Sequence, residues 1–472
     1  MNRKDVDVVV IGAGPVGENV ADRTVQGGLT TVIVEAELVG GECSYWACMP
    51  SKALLRPGQV LDAARAIPGA AEAVTAGLDV AEVLSRRDRF TSGWSDAGQV
   101  SWLEGAGIEL VRGHGRISGE REVTVVGGDG TRTVITARHA VVVATGSVAS
   151  APPIPGLAEA GAWTSREATS VRTVPDSVAV IGGGVVATEM ATAFAALGSE
   201  VTVIARHALL SGMEPFAAEA VLEGLRERGV TVLTDTATAR VDRDENSVTI
   251  ATSAGTVTAA EVLVATGRSA ATADIGMEHV GLTPGDWLDV DDTLRVTGVD
   301  WLYGVGDVNH RALLTHQGKY QGRAAGDVIA ARAAGRPVDD GPWGTHVATA
   351  DHAAVPHVVF TAPEVASVGL TAAGATDAGL TVRVVDYDLG RVAGASLSRD
   401  GYTGRARMVV DEDRQVVVGA TFVGPEVAEL LQTATTAIVA EIPLSRLWHA
   451  VPAYPTVSEI WLRLLEAYGR PA

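Results

Sequence analysis

The chain has 472 residues, of which 47% are hydrophobic, and a formal net charge of −20. This length predicts several domains, and the acidic excess argues against nucleic acid or an anionic membrane surface as a partner. The apolar stretch near the N-terminus is short and soon broken by glycines, and no apolar run approaches 20 residues. We therefore expect a cytoplasmic protein with neither a signal peptide nor a transmembrane helix.

The first predicted element is a buried parallel strand followed by a helix, in the segment DVVVIGAGPVGENVADRT. Its turn carries Gly12, Gly14 and Gly17, a spacing that lets a pyrophosphate approach the backbone at a helix N-terminus. The next strand, TTVIVEA, ends near Glu35, whose carboxylate can accept hydrogen bonds from a ribose. Together these features predict an adenine dinucleotide site that suits an unphosphorylated ribose.

Both cysteines of the chain, Cys43 and Cys48, lie in the segment GGECSYWACMPSK. Structural disulfides are rare in a reducing compartment and two thiols alone make a poor zinc site, so we predict a redox pair and no metal site. An accidental pair is the alternative. Five helical residues rise about 7.5 Å, more than the roughly 7 Å that a disulfide spans, so the chain must bend between the cysteines.

Lys52 follows the cysteines and is one of only three lysines among 37 basic residues. Since the chain uses arginine almost everywhere else, this position indicates a requirement for a compact ammonium group, with chance as the alternative.

The dinucleotide fingerprint recurs in SVAVIGGGVVATEMATAFAALGSEVTVIARH. Its turn consists of Gly182, Gly184 and Ala187. Ala205 stands where the first fingerprint has Glu35, and Arg206 and His207 follow it. Loss of the carboxylate removes a repulsion, and the neighbouring donors can bind a 2′-phosphate. The second site is therefore predicted to bind NADPH, although a solvated strand-end arginine is the alternative for Arg206.

Two strands with similar endings accompany these sites, AVVVATGS with Thr145 and Gly146, and EVLVATGR with Gly267. A later strand leads into Gly306 and Asp307, where a carboxylate before a helix suits the hydroxyls of a polyol. From Pro342 onward the glycine fingerprints stop and strand-like alternation begins, which predicts a separate α+β part.

The two fingerprints, the C-x4-C motif before Pro-Ser-Lys, both Ala-Thr-Gly strands, Gly-Val-Gly-Asp, FTAPEVASVGLT and YPTVSE together resemble the flavoprotein disulfide reductases. That group includes dihydrolipoamide dehydrogenase and the glutathione, mycothione and mercuric reductases. The resemblance implies an α/β fold with two Rossmann-like dinucleotide-binding domains and a C-terminal α+β dimerisation domain. The predicted boundaries are 1–150 and 271–341 for FAD binding, 151–270 for NADPH binding and 342–472 for the homodimer interface.

The resemblance also implies a role for each motif residue. FAD would be held by Gly12, Gly14, Gly17, Glu35, Thr145, Gly146, Gly306 and Asp307. NADPH would be held by Gly182, Gly184, Ala187, Arg206, His207 and Gly267. Cys48 would be the thiolate against the flavin and Cys43 the thiol that exchanges with substrate. Lys52 would lie near the flavin and pair with Glu189.

One position departs from this resemblance. Most of these reductases end in His-Pro-Thr-x-Ser-Glu, in which the histidine protonates the departing thiolate and the glutamate orients it, both across the dimer interface. Here Tyr454 replaces the histidine and Glu459 is retained. His449, five residues before Tyr454, is the alternative proton donor, but the sequence does not determine its position. A phenol ordinarily titrates near 10 and shuttles protons poorly at neutral pH.

Three functions follow as predictions. The preferred one is an NADPH-dependent reductase of a disulfide or other soft electrophile. A mercuric reductase is disfavoured because no cysteine follows Cys48. The alternative is a soluble transhydrogenase, quinone reductase or diaphorase that works from FAD without thiol exchange, which the Cys-x-x-Trp and Tyr-Pro-Thr segments resemble. A subunit serving a larger complex, as dihydrolipoamide dehydrogenase does, is the third.

Overall fold

A computed structural model describes residues 2–470 of the chain. The strands, in chain order, are β1 (Asn2–Ile11), β2 (Thr31–Glu35), β3 (Glu109–Arg112), β4 (His114–Gly119), β5 (Glu122–Val126), β6 (Arg132–Val143), β7 (Ser147–Ala149), β8 (Ser177–Ile181), β9 (Glu200–Ile204), β10 (Thr231–Leu233), β11 (Thr238–Arg243), β12 (Val248–Thr252), β13 (Gly255–Ala259), β14 (Glu261–Val264), β15 (Arg268–Ala270), β16 (Leu302–Gly304), β17 (Pro356–Val359), β18 (Glu364–Gly369), β19 (Val382–Asp388), β20 (Arg405–Asp411) and β21 (Val416–Gly424). The α-helices are α1 (Pro15–Gln26), α2 (Gly41–Tyr45), α3 (Cys48–Arg65), α4 (Val80–Phe90), α5 (Ala97–Gly105), α6 (Ser165–Ser170), α7 (Val185–Ala196), α8 (Pro215–Glu227), α9 (Thr315–Ala333), α10 (Ala350–Ala353), α11 (Ala372–Asp377), α12 (Ala393–Ser398), α13 (Leu431–Val439), α14 (Leu444–Leu447) and α15 (Ile460–Tyr468).

The described chain divides into two compact units, each built from separated stretches of sequence. The first unit comprises the residues up to Pro50, Asp88–Ser150 and Arg268–Asp351. The second comprises Ser51–Arg87, Ala151–Gly267 and the residues from His352 onward. The four domain ranges predicted from the sequence remain predictions.

The first unit is organised on a sheet with the order β3-β2-β1-β6-β5-β4, in which β1 pairs in parallel with β2 and β6. Strand β16 pairs in parallel with the end of β6. Successive residues of β1 face opposite sides of the sheet, so Val9 and Ile11 join one core and Val8 and Val10 join the other. Burial on both faces explains the near-continuous apolar sequence of this strand.

Helices α1 and α9 pack closely on one side of this sheet because glycines line their contact. A Cβ atom at Gly322 would lie 2.8 Å from the Val16 carbonyl oxygen, and one at Gly326 would lie 2.5 Å from the Arg23 Cβ. Asp327 accepts a hydrogen bond of 2.7 Å from Arg23 across the same contact. The position of α9 relative to the first glycine turn is therefore determined by small residues on α9.

The second unit contains a parallel sheet with the order β10-β9-β8-β14 and a three-stranded antiparallel sheet of β11, β12 and β13 among its described residues. Its C-terminal part contains an antiparallel sheet with the order β17-β18-β21-β20-β19. Buried residues of α13 and α15, including Ala434, Leu464 and Leu465, belong to the core that covers this sheet. The α/β class, with an α+β C-terminal part, is as predicted.

Along residues 2–470, no helix combines the length and the apolar character that crossing a membrane would require.

Candidate active site

The two glycine turns have the same construction. Gly12 and Gly182 both have positive φ values, 103° and 137°. A Cβ at Gly12 would lie 2.5 Å from the Ala144 carbonyl oxygen, and one at Gly182 would lie 2.2 Å from the Ala265 carbonyl oxygen. Each Ala-Thr-Gly strand therefore presses against the first glycine of its own fingerprint, and a side chain has no room there.

The turns differ at their third small residue and at the acid. A Cβ at Gly17 would lie 2.0 Å from the Gly12 carbonyl oxygen, whereas the second turn accommodates Ala187 at the corresponding place. Glu35 accepts hydrogen bonds from the backbone N–H groups of Ala13 (2.7 Å) and Glu37 (2.8 Å). The carboxylate is thus fixed beside the first turn, at the carboxyl end of β2, where it can also accept from a ribose.

The second turn has no acid in the equivalent place. Ala205 is buried, and the exposed Arg206 donates a hydrogen bond of 3.2 Å from Nε to Nε2 of His207. A Cβ at Gly184 or Gly267 would have no heavy atom within 4 Å. The second turn therefore has open space at these glycines, and β9 is followed by exposed nitrogen donors, which can bind a phosphorylated ribose.

The two cysteines lie on different helices of the first unit, Cys43 in α2 and Cys48 at the start of α3. The helix breaks between them, in agreement with the bend that the spacing predicted. Neither forms a disulfide, and their side chains are hydrogen-bonded to each other. The Thr315 hydroxyl lies 3.4 Å from the Cys48 sulfur and also bonds to Cys43.

Groups near Cys43 have opposing effects on the pKa of its thiol. The hydrogen bond to Cys48, burial and the negative charge of the Cys48 sulfur raise the pKa of the Cys43 thiol, while the Thr315 hydroxyl and the Lys319 ammonium act in the opposite direction. Together these contributions make the Cys43 thiol harder to ionise than an ordinary cysteine.

Asp307 lies in a polar cluster with Ser147 and Arg268. The Ser147 hydroxyl donates to the Asp307 carboxylate at 2.5 Å and accepts from Arg268 Nε at 2.5 Å. Arg268 also donates to Glu42 at 2.9 Å. Burial raises the pKa of Asp307, and the Ser147 hydrogen bond and the Arg268 charge oppose that shift. The cluster therefore links Glu42, the residue next to Cys43, to Asp307, the carboxylate that is predicted to bind the polyol.

The remaining predicted first-unit residues fit a bound FAD. The Thr145 hydroxyl is buried and has no hydrogen-bond partner within residues 2–470, so it is available to a ligand. A Cβ at Gly146 would meet no atom within 4 Å, and Gly14 leaves similar space. Gly306 has a φ of 77° and donates from its backbone N–H to Gln321 at 2.8 Å, which fixes the loop before Asp307.

Lys52 and Glu189 form an ion pair in the second unit, with 2.7 Å between Nζ and Oε2. Glu189 is buried and accepts a second hydrogen bond, 3.0 Å long, from the Phe360 backbone N–H. The ammonium also lies 5.0 Å from the centre of the Phe360 ring. The predicted pairing is present. The buried Glu189 carboxylate and the Phe360 ring together hold the Lys52 ammonium in place.

Tyr454 and Glu459 have contrasting environments at the C-terminus. The Tyr454 side chain is 75% exposed, whereas Glu459 is buried. One Glu459 oxygen accepts from Arg463, and the other is buried with no hydrogen-bond partner in the described part of the chain. His449 is exposed and makes no hydrogen bond to Glu459 within residues 2–470. Glu459 thus keeps one acceptor for a group from outside the unit.

Comparison with known proteins gives consistent results. A family model described as pyridine nucleotide-disulphide oxidoreductase matches residues 6–323, and the dimerisation-domain model of the same family matches residues 355–464. The chain is 34% identical to a dihydrolipoyl dehydrogenase of Haloferax volcanii, covering 98% of this chain and 95% of the relative. It is 31% identical to that of Chlamydia pneumoniae, covering 97% and 96%.

Two solved structures share the fold. The Cu(II) complex of the HOCl-induced flavoprotein disulfide reductase RclA from Escherichia coli has a TM-score of 0.84 at 23% identity and 99% coverage of both chains. LpdA from Mycobacterium tuberculosis has a TM-score of 0.83 at 23% identity and complete coverage of both chains. The chain therefore belongs to the pyridine nucleotide-disulphide oxidoreductases.

Membership of this family confirms the predicted class of enzyme. The chain is a flavoprotein oxidoreductase of a family that uses FAD and NAD(P)H, and its dimerisation domain supports a homodimer. The individual site residues, and the choice between NADPH and NADH, remain predictions.

Three polar residues of the site were missed from the sequence, namely Arg268, Thr315 and Lys319. Only Lys319 carried a usable signal, because it is one of the three lysines. The scarcity argument applied to Lys52 holds for it equally. The other two belong to residue types that are common in the chain, and their importance follows from long-range contacts.

Proposed function

We propose that the chain is an NADPH-dependent reductase that delivers electrons through Cys43 and Cys48 to a disulfide or another soft electrophile. The observation that carries this proposal is the mutual hydrogen bond of the two free thiols, both of which also contact the Thr315 hydroxyl. Two sulfurs in contact can form a disulfide with little movement.

Each group of residues has a distinct task in this proposal. FAD bound here would supply the redox chemistry that links the nicotinamide to the two sulfurs. The first glycine turn and Glu35 hold its adenosine and pyrophosphate, and Asp307 orients its polyol chain. Lys52 is kept in one position by Glu189, so that its ammonium can stabilise negative charge near the thiolate.

Thiol exchange then proceeds in two balanced displacements. The Cys43 thiol gives up its proton, and the resulting thiolate attacks the substrate disulfide, whose S–S bond breaks as a mixed disulfide forms and the first leaving thiolate takes up a proton. The Cys48 thiolate attacks the Cys43 sulfur, which breaks the mixed disulfide and releases the second thiolate, and that thiolate takes a proton from solvent. The Cys43–Cys48 disulfide is restored, and the substrate has gained two electrons and two protons.

We further propose that Tyr454 and Glu459 serve the site of the partner subunit. The exposed phenol can donate a hydrogen bond to a departing thiolate, and the free Glu459 oxygen can accept one. Because a phenol is a poor acid at neutral pH, this arrangement favours substrates whose leaving group needs little protonation. Disulfides that release thiols of low pKa meet that condition.

NADPH is proposed over NADH because Arg206 and His207 are exposed nitrogen donors and no carboxylate occupies the place equivalent to Glu35. A cytoplasmic location is proposed as well, since a reducing compartment supplies the nucleotide and keeps the thiols reduced.

The test is an anaerobic titration of the oxidised holoenzyme with NADPH, followed by absorption spectroscopy. Growth of a long-wavelength thiolate-to-flavin band, with about four electrons needed to bleach the flavin, would support the proposal. Bleaching after two electrons without that band would refute thiol participation. The Cys48→Ser variant is the matched control, because it should lose the band and bleach after two electrons.

A second candidate is hydride transfer from FAD to a quinone or a second nicotinamide nucleotide. The observation favouring it is the exposed Tyr454, which leaves the site without the usual histidine acid.

The relatives named dihydrolipoyl dehydrogenase suggest one more assay, in which dihydrolipoamide is offered with NAD⁺ or NADP⁺. Reduction of the flavin by dihydrolipoamide at a rate above that by NADPH would favour a dihydrolipoyl dehydrogenase activity.

A further inference from the structure

Lys319 lies on the face of α9 that meets the redox thiols. Thr315, one turn earlier on this helix, bonds to both cysteine sulfurs, and residues four apart on a helix share a face. The positive charge of Lys319 acts on Cys43, and within residues 2–470 the ammonium makes no hydrogen bond or ion pair. It is therefore a half-buried cation held near a sulfur without a salt-bridge partner.

Glu18 on α1 is an acidic group on which the charge of Lys319 acts. One Glu18 oxygen is buried and has no hydrogen-bond partner in the described residues. Burial raises the pKa of Glu18 to about 7; the Lys319 charge lowers it and the Glu35 charge raises it. The Tyr45 phenol also lies within the field of Glu18, and burial raises the pKa of Tyr45 to about 12, so it stays neutral near pH 7.

The contact between α1 and α9 places these groups. Gly322 and Gly326 bring the helices together so closely that a Cβ atom would clash with the α1 backbone or with Arg23. Glu18 and Lys319 are consequently held on neighbouring helices yet are too far apart for an ion pair. A carboxyl that is half-protonated near neutral pH does not cancel the ammonium charge, which stays available to Cys43.

We propose that Lys319 is a thiolate-stabilising residue that favours the ionised form of Cys43 during thiol exchange, and that Glu18 limits this effect when it becomes ionised. The inference rests on the proposed function, in which Cys43 must become a nucleophile although Tyr454 has replaced the usual histidine. Lys319 lies on α9 of the same subunit as Cys43, and its positive charge takes over part of the electrostatic role of the histidine.

The test measures the ionisation of Cys43 directly. In a Cys48→Ser holoenzyme Cys43 is the only thiol of the chain, and its rate of alkylation by iodoacetamide between pH 6 and 10 reports its thiolate fraction. Introducing Lys319→Met should shift the profile upward by about 0.5 to 1 pH unit, which is a threefold to tenfold slower rate below the midpoint. Lys319→Arg should restore the parent profile.

Glu18→Gln should shift the midpoint in the opposite direction, because it removes the negative charge that forms above pH 7. General damage to the fold would not produce opposite shifts in two variants together with rescue by arginine. A Lys319→Met profile that coincides with the parent, or an Arg variant as impaired as the Met variant, would overturn the proposal. No nicotinamide nucleotide or substrate is present, so this result is independent of the NADPH titration that tests the proposed function.

Discussion

Nucleotide selectivity gives the sharpest prediction, because the chain contains its own template for the change. In the first turn Glu35 accepts from the Ala13 backbone N–H at 2.7 Å, and the equivalent residues of the second turn are Ala205 and Gly183. The Cβ of Ala205 lies 3.0 Å from where a Cβ of Gly183 would be, so a glutamate fits here only while residue 183 remains glycine.

The double variant Ala205→Glu/Arg206→Leu should shift preference from NADPH toward NADH. Loss of a charge-assisted hydrogen bond from an exposed arginine is worth about 1.5 kcal/mol. Repulsion between a new carboxylate and the 2′-phosphate adds a similar amount, about 1.5 kcal/mol. The sum of about 3 kcal/mol corresponds to about a 150-fold change in the ratio of kcat/KM for NADPH to that for NADH.

The assay is steady-state kinetics with both nucleotides at two salt concentrations, since added salt should weaken the arginine–phosphate interaction of the parent enzyme. Arg226→Leu is the matched control, because Arg226 is an exposed arginine on α8 whose side chain makes no hydrogen bond or ion pair within residues 2–470. It should leave the ratio unchanged. A double variant with the parent's ratio would refute the assignment of Arg206 to a 2′-phosphate.

Three further predictions concern the thiols, the C-terminus and helix packing. Cys43→Ser should abolish disulfide reduction but leave NADPH-dependent dye reduction within about twofold, and surviving disulfide turnover would exclude thiol exchange. Tyr454→His should raise kcat on ordinary disulfides by about tenfold, and Tyr454→Phe is the control because it has no hydroxyl that could donate a proton. A lower kcat of the His variant on every disulfide tested would give the tyrosine a role of its own. Gly322→Ala should lower the free energy of unfolding by about 1–3 kcal/mol, because its Cβ would lie 2.8 Å from the Val16 carbonyl oxygen. Gly98→Ala in helix α5, where the Cβ would meet nothing within 4 Å, should instead be neutral or stabilising by up to about 1 kcal/mol in the same denaturant titration.

The glycine turns and strand ends could be predicted from the sequence because each is a local device. Gly12 and Gly182 need backbone conformations that other residues avoid, and the spacing to the next helix is set by a turn of a few residues. The sequence shows both Ala-Thr-Gly strands as motifs, but only the structure shows why the motif occurs twice. Their alanine carbonyls occupy the place where a side chain on the first glycine would be.

The polar cluster around Asp307 could not be predicted in the same way. Arg268 contacts Ser147 and Glu42, residues that lie 121 and 226 positions away along the chain. Nothing in the sequence near an arginine specifies partners at such distances, because the pairing of β15 with β7 brings them together. The Lys52–Glu189 pair, 137 positions apart, was predicted only through resemblance to a family.

Sequence alone thus determined the class of fold, both dinucleotide fingerprints, the thiol pair and the unusual Tyr454, since each is carried by neighbouring residues with a conformational or chemical requirement. The tertiary structure alone decided which charges surround the thiols. Lys319 shares a helical face with Thr315, which contacts the Cys48 sulfur, and Glu18 lies on the neighbouring helix because glycines let α1 and α9 come into contact. Electrostatic interactions depend on distance through space, and distances of that kind are established only when remote segments pack together.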